Sequence, residues 1–223
     1  NFFGDACWTS WPQDIRLRWG YALDYYREKL YFDIEFQQYL QFKFFQQWLK
    51  LKEYANNKGT KIIGDMPIYV SQDSSDVWAH PDLFQLDENN VPTAVAGCPP
   101  DAFSEDGQLW GNPIYKWPLM EQENFAWWID RIASAFHKFD ILRIDHFRGI
   151  ESFWAVPGDA VSAKEGSWVK GPGMDLVDAI KKAAGSTEII AEDLGDITPE
   201  VYKLVEDSGF PGMRVFQFGF LSD

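Results

Sequence analysis

Short apolar runs that end in a carboxylate recur along this chain, and helical patterns separate them. Residues 141–144 lead into Asp145, and residues 189–191 lead into Glu192. Strands that alternate with helices form parallel sheets, and polar residues at the ends of such strands meet at one edge of the sheet. The pattern therefore indicates an α/β fold with its functional residues at the strand ends.

Hydrophobic spacing and turn residues predict the remaining elements. Residues 71–122 and 158–173 have no sustained periodicity and contain many turn residues, so both are predicted to be irregular. A loop as long as the first is usually functional. The regular elements predicted are helices over 33–57, 123–139, 175–184 and 198–207, and strands over 61–70, 140–144, 188–191 and 213–220.

The order strand, long loop, helix, strand, helix, strand, helix, strand favours a (β/α)₈ TIM barrel. A doubly wound sheet is the alternative, but such a sheet usually has a glycine-rich phosphate loop after its first strand, which this sequence lacks. Four strands are only half of what a barrel needs, and the chain opens without Met in a loop-like segment. We expect residues 1–223 to be the central part of a catalytic barrel, with a substrate-loop insertion at 71–122, unless the barrel interpretation is wrong.

Charge and cysteine content narrow the partners and the compartment. The net charge is −14, from 20 basic and 34 acidic side chains. This balance argues against nucleic acid or an anionic membrane, because both require a basic face. No apolar run approaches the roughly 20 residues of a membrane span. Two cysteines, Cys7 and Cys98, are too few for a disulfide framework, and we expect reduced thiols in the cytoplasm or a plastid.

Aromatic residues make up 17% of the chain and include 11 tryptophans. A large aromatic core is the main interpretation. The alternative is that some rings line a groove, where their apolar faces stack on sugar rings. Both interpretations can hold for different residues.

The first candidate pair is Arg143 with Asp145. Strand side chains alternate between faces, so these two share one face while Ile144 points to the other. A neighbouring cation favours the ionised carboxylate, and an ionised carboxylate suits a nucleophile. The alternative is a structural Arg–Asp pair at a strand end.

Glu192 and Asp193 are neighbours, so only one of them can face the site. The longer Glu192 is the better general acid/base, provided that an apolar or carboxylate-rich setting raises its pKa. Asp193 is predicted to cap the next loop. The alternative for Glu192 is a carboxylate that accepts hydrogen bonds from backbone amides.

Asp65 is the third candidate carboxylate at a strand end. It either forms a hydrogen bond to a substrate hydroxyl or holds Arg143. Three acidic strand ends together favour a functional site.

Polar and aromatic side chains in residues 99–113 are further candidates. Gln108, Trp110 and Asn112 suit polyhydroxylated ligands. The residues by themselves favour the alternative, which is an ordinary Pro/Gly loop with Trp110 packed into the protein core. The three histidines are not spaced as metal ligands, so no transition-metal site is expected. His146 either lines the site or supports it.

Several segments in one order resemble glycoside hydrolase family 77, the 4-α-glucanotransferases. Most of the chain takes part in the resemblance, which makes it specific. The segments are residues 64–70 (Gly-Asp-Met-Pro-Ile-Tyr-Val), 73–81 (Asp-Ser-Ser-Asp-Val-Trp-Ala-His-Pro), 99–104 (Pro-Pro-Asp-Ala-Phe-Ser), 107–113 (Gly-Gln-Leu-Trp-Gly-Asn-Pro), 143–149 (Arg-Ile-Asp-His-Phe-Arg-Gly) and 190–195 (Ile-Ala-Glu-Asp-Leu-Gly).

The resemblance implies a retaining double displacement that needs no cofactor. Asp145 matches the nucleophile, Glu192 the acid/base and Arg143 the arginine beside the nucleophile. Retention implies carboxyl groups roughly 5–5.5 Å apart. The implied substrates are α-1,4-glucans and maltooligosaccharides, with glucose as an acceptor. The substrate-binding residues implied, besides Arg143, are Asp65, Tyr69, His146, Pro100, Asp101, Gln108, Trp110 and Asn112, the last five on the loop that borders the glucan groove.

One departure from the family and three rival functions remain. The family's third catalytic carboxylate, in a His-Asp-Asn motif on a later strand, is not found in these 223 residues, so we expect a truncated barrel. The rivals are an α-amylase-like hydrolase, a glucan-binding protein without catalysis, and a Mg²⁺-dependent barrel enzyme with Asp65, Asp145 and Glu192 as ligands.

Overall fold

The computed structural model of the chain describes residues 2–101, 104–195 and 197–220. The helices are α1 (Gln13–Arg16), α2 (Gly20–Lys29), α3 (Tyr31–Asn57), α4 (Ser75–Ala79), α5 (Trp117–Gln122), α6 (Ala126–Lys138), α7 (Met174–Ala184) and α8 (Pro199–Ser208). The strands are β1 (Ile63–Met66), β2 (Ala94–Cys98), β3 (Gln108–Pro113), β4 (Ile141–Ile144), β5 (Ser152–Pro157), β6 (Ser167–Lys170) and β7 (Glu188–Ala191). Short 3₁₀ helices occupy Trp8–Ser10, Pro81–Leu83, Phe147–Ile150, Ala163–Glu165 and Phe216–Phe220.

Three strands form a parallel sheet in the order β1-β4-β7. The register aligns Asp65 with Arg143 and Arg143 with Ile190. Asp145 and Glu192 each follow the last residue of a strand, β4 and β7 respectively. Because the strands are parallel, both residues lie at the same edge of the sheet, as the sequence pattern predicted.

One face of this sheet packs on helices, and the other is more open. Leu142, Ile144 and Ala191 are fully buried on the first face, which α6 contacts at β1 and β4. On the other face, Ile63 is 57% exposed, and the Arg143 side chain keeps 24% of its surface exposed. Within the described residues this parallel sheet is open, and the antiparallel strands form a separate sheet. The described residues do not form a closed barrel.

The predicted strand over residues 213–220 is wrong. Phe216–Phe220 is a 3₁₀ helix, and no β-strand occurs in the described residues after Ala191. Ala191 donates to the Pro211 carbonyl at 2.9 Å, and the Met213 amide donates to Asp193 at 2.7 Å. These single bonds tie the segment to the end of β7 without a ladder, so its apolar spacing alone did not make a strand.

A second, antiparallel sheet has the order β3-β2-β5-β6. Its strands β2 and β3 fall in residues 71–122, and β6 falls in residues 158–173. The prediction that both segments are irregular is therefore wrong. These strands are short and contain turn-like residues such as Gly97, Gly111 and Pro113. Their pairing is also distant in sequence, because Ala94 aligns with Pro157. Both hairpins follow strands of the parallel sheet, β1 and β4, and therefore lie at its carboxyl edge.

The aromatic core was predicted correctly in part. Trp8, Tyr115, Trp128 and Phe84 are at most 2% exposed and belong to the main core.

The long helix was also predicted correctly, with α3 ending at Asn57. Yet α3 has no buried residue, and its aromatic side chains remain exposed to as much as 84%.

The other helix predictions agree with the structure to within a few residues. α8 begins with the Thr198 hydroxyl accepting from the Val201 amide and ends at Gly209, whose φ of +69° suits glycine.

Cys7 and Cys98 are both free thiols. No helix in the described part of the chain is long and apolar enough to cross a membrane.

Candidate active site

Arg143 lies between two carboxylates at the open face of the parallel sheet. Its Nη1 is 2.5 Å from Asp65 Oδ1, and its Nη2 is 2.7 Å from Asp145 Oδ1. Partial burial lowers the pKa of Arg143, but the hydrogen bonds and charges of the two carboxylates outweigh that effect and raise it overall. Asp65 thus holds Arg143, which is one of the two roles expected for it.

Asp145 is fixed through its backbone and accessible through its side chain. Its amide donates to the Met66 carbonyl at the end of β1 at 2.9 Å. Its side chain remains 42% exposed, so the carboxylate that Arg143 binds can still be reached from solvent. Asp145 is both one half of an Arg–Asp pair and an accessible carboxylate.

Glu192 is 9% exposed and accepts two backbone hydrogen bonds. The His146 amide donates to Oε2 at 2.8 Å, and the Leu194 amide donates to Oε1 at 3.0 Å. Burial raises the pKa of Glu192; the two amides oppose that effect, the charge of Asp145 adds to it, and the net pKa is raised. Glu192 is therefore bonded to backbone amides, and its raised pKa meets the condition that was set for an acid/base.

Asp193 turns away from Glu192 and holds the segment after α8. Its side chain is only 4% exposed, and it accepts from the Met213 amide at 2.7 Å and from Arg214 Nη1 at 3.4 Å. This agrees with the capping role expected from the alternation of side chains along β7.

Trp110 and His146 meet edge to face beside Glu192. Their ring centroids are 4.9 Å apart at 85°. Trp110 Nε1 donates to Gln108 Oε1 at 3.1 Å, and Asn112 Nδ2 donates to the Val70 carbonyl at 2.9 Å. Burial and the charge of Arg148 lower the pKa of His146 to about 4, so its imidazole is neutral at pH 7. Trp110 is thus brought to the end of β4, and Gln108 is bonded to it. Asn112 instead bonds to Val70, which lies just beyond β1.

Tyr69 lies deeper than the other candidates. It is 5% exposed, its ring stacks on Tyr115 at 5.8 Å, and its ring centroid is 6.4 Å from that of Trp110. Its buried hydroxyl has no hydrogen-bond partner among the described residues, and burial raises its pKa. Tyr69 therefore supports Trp110 from below in this structure.

Pro100 and Asp101 are exposed just beyond β2. Asp101 accepts from the Ser104 amide at 2.7 Å through its side chain, which closes a turn. The motif positions Ala102 and Phe103 lie outside the described residues. Pro100 and Asp101 are therefore at the surface, on the same hairpin as Trp110.

Two contacts near the site, and the surroundings of the Cys98 thiol, were missed by the sequence reasoning. Met213 Sδ accepts from Arg143 Nε at 3.1 Å, although the residues are 70 positions apart. The Arg148 guanidinium lies 3.8 Å from the ring centroid of Trp168. Burial raises the pKa of the Cys98 thiol to about 11, opposed by Arg148 and increased by Asp101 and Glu192, so this thiol lies near the site. No pattern of spacing signals these contacts.

The described residues contain no cluster of three or more His, Cys, Asp or Glu side chains arranged to hold a metal ion. Within them, Asp65 and Asp145 instead share Arg143 as their counter-ion. The guanidinium occupies the place between the two carboxylates that a cation would need.

The family model described as 4-alpha-glucanotransferase, of glycoside hydrolase family 77, matches residues 1–223. The chain belongs to this family. A 4-alpha-glucanotransferase of Clostridium butyricum is 52% identical over 222 residues, which are 99% of this chain and 46% of the relative. The chloroplastic/amyloplastic 4-alpha-glucanotransferase of Solanum tuberosum is 50% identical over 225 residues, covering 100% of this chain and 39% of the relative.

A solved amylomaltase structure has nearly the same backbone over the matched residues. Amylomaltase from Streptococcus agalactiae, in complex with acarbose, aligns with a TM-score of 0.95 and 48% identity. The alignment covers 98% of this chain and 44% of that one. The chain thus spans less than half the length of these members of the 4-alpha-glucanotransferase family.

Proposed function

We propose that the protein carrying this chain is a 4-α-glucanotransferase. It transfers a segment of an α-1,4-glucan to the 4-hydroxyl of glucose or of another glucan. The observation that carries the proposal is the contrast between two carboxylates at one sheet edge. Asp145 is paired with Arg143 and accessible, whereas burial raises the pKa of Glu192. Such a contrast suits a nucleophile and an acid/base.

In the first step, an Asp145 oxygen attacks the anomeric carbon of the donor. The bond from that carbon to the glycosidic oxygen breaks, and Glu192 gives its proton to the leaving oxygen. Each oxygen of Glu192 has two lone pairs and accepts one amide, so a proton can still bind. The product is a glucan esterified to Asp145 and a shortened glucan.

In the second step, the 4-hydroxyl oxygen of the acceptor attacks the same carbon. Glu192, now a carboxylate, takes the hydroxyl proton, and the ester bond to Asp145 breaks. Both side chains return to their starting states, so no cofactor is consumed. Two inversions retain the α configuration, and we expect the two carboxyl groups to lie roughly 5–5.5 Å apart when substrate is bound.

The remaining candidates would line the donor and acceptor sites. Trp110, held against His146, presents an aromatic face for a sugar ring. Gln108 and Asn112 would offer amides to hydroxyls, and the hairpin with Pro100 and Asp101 would border the groove. Asp65, Tyr69 and His146 would contact or support the sugar nearest Asp145.

We further infer that the parallel strands β1, β4 and β7 are consecutive parts of a (β/α)₈ barrel. Two observations support this: carboxylates lie at the carboxyl ends of the strands, as in barrel enzymes, and the backbone closely matches an amylomaltase. The antiparallel sheet would then be a rim built from two βα-loops. The expected compartment is the cytoplasm or a plastid.

The test is to incubate the natural polypeptide that carries this sequence with maltotriose and to separate the products. Glucose together with maltooligosaccharides longer than maltotriose is expected. Asp145→Asn should reduce product formation by at least about a thousandfold, because it removes the nucleophile. Asp159→Asn, a change at an exposed aspartate, is the matched control and should act like the wild type.

Each rival function has its own outcome in this experiment. Glucose and maltose without longer products would indicate a hydrolase. Loss of activity in EDTA would indicate the Mg²⁺ enzyme. Binding of maltotriose without any new product would indicate a glucan-binding protein, and each of these outcomes would contradict the proposal.

A further inference from the structure

All three nitrogens of the Arg143 guanidinium have an acceptor. Nη1 and Nη2 bond to Asp65 and Asp145, and Nε lies 3.1 Å from Met213 Sδ. The two carboxylates come from the parallel sheet, whereas the thioether comes from the segment after α8. The orientation of the planar guanidinium is therefore set from two directions.

The backbone of Met213 is itself held in place. Its amide donates to Asp193 Oδ1 at 2.7 Å, and Asp193 is nearly buried, with 4% of its side chain exposed. Gly212 packs directly on this carboxylate, since a Cβ there would lie 2.4 Å from Asp193 Oδ2. Asp193 thus fixes where the Met213 side chain starts.

The chemistry of the sulfur suits this place. A thioether is a weak, uncharged acceptor. It can accept from Nε without placing a third negative charge beside Arg143, so the charge of the guanidinium stays with Asp65 and Asp145. A carboxylate at position 213 would compete for Arg143, whereas an aliphatic side chain would leave Nε without this acceptor.

We propose that Met213 is a positioning residue for glucan transfer. Its thioether fixes the rotation of Arg143, so that Nη2 holds Asp145 in the orientation for attack, and Asp193 positions Met213. The catalytic part of this proposal depends on the proposed glucanotransferase function. The hydrogen bond between Met213 and Arg143 does not.

The test compares two variants at the same position. Met213→Leu keeps an apolar side chain of similar volume but removes the acceptor, and Met213→Gln supplies an amide oxygen. Met174→Leu is the matched control, because Met174 begins α7 and packs against the core. Two measurements are made on the natural polypeptide: exchange of the Arg143 Nε proton by NMR with ¹⁵N-arginine, and kcat and KM for disproportionation of maltotriose.

We expect Met213→Leu to speed exchange of the Arg143 Nε proton about tenfold by removing its acceptor. It should also lower kcat about tenfold by loosening Asp145, with KM changed by less than about twofold because substrate binding does not use Met213. Met213→Gln should recover most of both losses. Met174→Leu should change neither quantity.

Three outcomes would overturn the proposal. Unchanged Nε exchange in Met213→Leu would show that the hydrogen bond does not hold Arg143. Faster exchange with unchanged kcat would remove the positioning role. Equal losses in Met213→Leu and Met213→Gln would assign the effect to packing. If the wild type fails to disproportionate maltotriose, the proposed function fails, and the exchange measurement still decides whether Met213 orients Arg143.

Discussion

The backbone amide of His146 donates to Glu192 Oε2 at 2.8 Å and thereby joins the ends of β4 and β7. His146 adopts a left-handed conformation with a φ of +53°, which is uncommon for a residue other than glycine. Strain of this kind persists where surrounding contacts fix it, often at functional sites. Here the His146 ring contacts Trp110 and the His146 amide binds the Glu192 carboxylate. Because His146 directly follows Asp145 in the sequence, this bond holds the acid/base candidate close to the nucleophile candidate.

Replacing Glu192 with Gln should impair the step that needs a proton. We expect kcat on maltotriose to fall by about 10²–10⁴, the usual contribution of a general acid. An aryl maltoside with a good leaving group needs no protonation, so release of the phenol should fall far less. The measurement is the ratio of the two losses. Glu188→Gln, a change at an exposed glutamate on the strand that precedes Glu192, is the control. Equal losses on both substrates would rule out the acid role.

The raised pKa of Glu192 has a definite sign in the pH profile. A general acid must be protonated, and a raised pKa keeps it protonated to higher pH. The rate of the first step should therefore fall as pH rises through the pKa of Glu192. This alkaline decline should be absent from the residual activity of Glu192→Gln. A decline that persists in the variant would belong to another group.

Local signals were enough to find the three strands of the parallel sheet, although the strand predicted over 61–70 is only Ile63–Met66. Glu188–Ala191 was predicted with its observed bounds, and the Thr198 cap and Gly209 stop of α8 were also correct. The Arg143–Asp145 pair followed from alternation alone. Each of these features depends on residues that are close together in the sequence. The spacing of residues is therefore sufficient to find them.

The rest of the structure depends on contacts that spacing does not encode. β2 pairs with β5 across about sixty positions, and short strands with Gly97 or Pro113 look like turns until the partner is known. Met213 reaches Arg143 only because Pro211 and Asp193 place it there. The apolar run at 213–220 fitted a strand, but no strand edge in the described residues pairs with it.

Trp110 should contribute to substrate affinity more than to chemistry. Its ring is half-buried and is held by His146 and Gln108, so it is pre-oriented to stack on a sugar. Trp110→Ala should raise KM for maltotriose about tenfold, in line with an aromatic contact of 0.5–1.5 kcal/mol. Trp110→Phe should recover part of this loss, and Trp19→Ala, at an exposed tryptophan in α2's N-cap position, should have no effect. A fall in kcat with unchanged KM would contradict a binding role.

His146 should make the fold sensitive to acid. Its pKa is lowered to about 4 in the folded chain by burial and Arg148, against an unfolded value of about 6.5. A lowered pKa gives stability that is present above the unfolded value and lost as pH falls through the folded value. The free energy of unfolding should therefore drop between pH 7.5 and 4, by up to about 3 kcal/mol from this group.

Urea unfolding at pH 7.5 and pH 4 measures this loss. His146→Gln should show a smaller drop than the wild type, because no buried imidazole must be kept neutral. His137→Gln, at an exposed histidine in the last turn of α6, should show the same drop as the wild type. An equal drop in all three proteins would place the acid sensitivity elsewhere.

Gly212 should tolerate no side chain, because of its contact with Asp193. A Cβ at this position would lie 2.4 Å from Asp193 Oδ2, and Asp193 is too buried to swing away without losing the Met213 amide. Gly212→Ala should therefore lower the free energy of unfolding by about 1–3 kcal/mol, the cost of an unsatisfied buried group. Gly219→Ala is the control, since a methyl group at that position would have no described atom within 4 Å, and it should change stability by less than about 0.5 kcal/mol. Urea unfolding at pH 7 compares the two. A neutral Gly212→Ala would mean that Asp193 does not hold the segment after α8 tightly, and it would weaken the case that Met213 is fixed against Arg143.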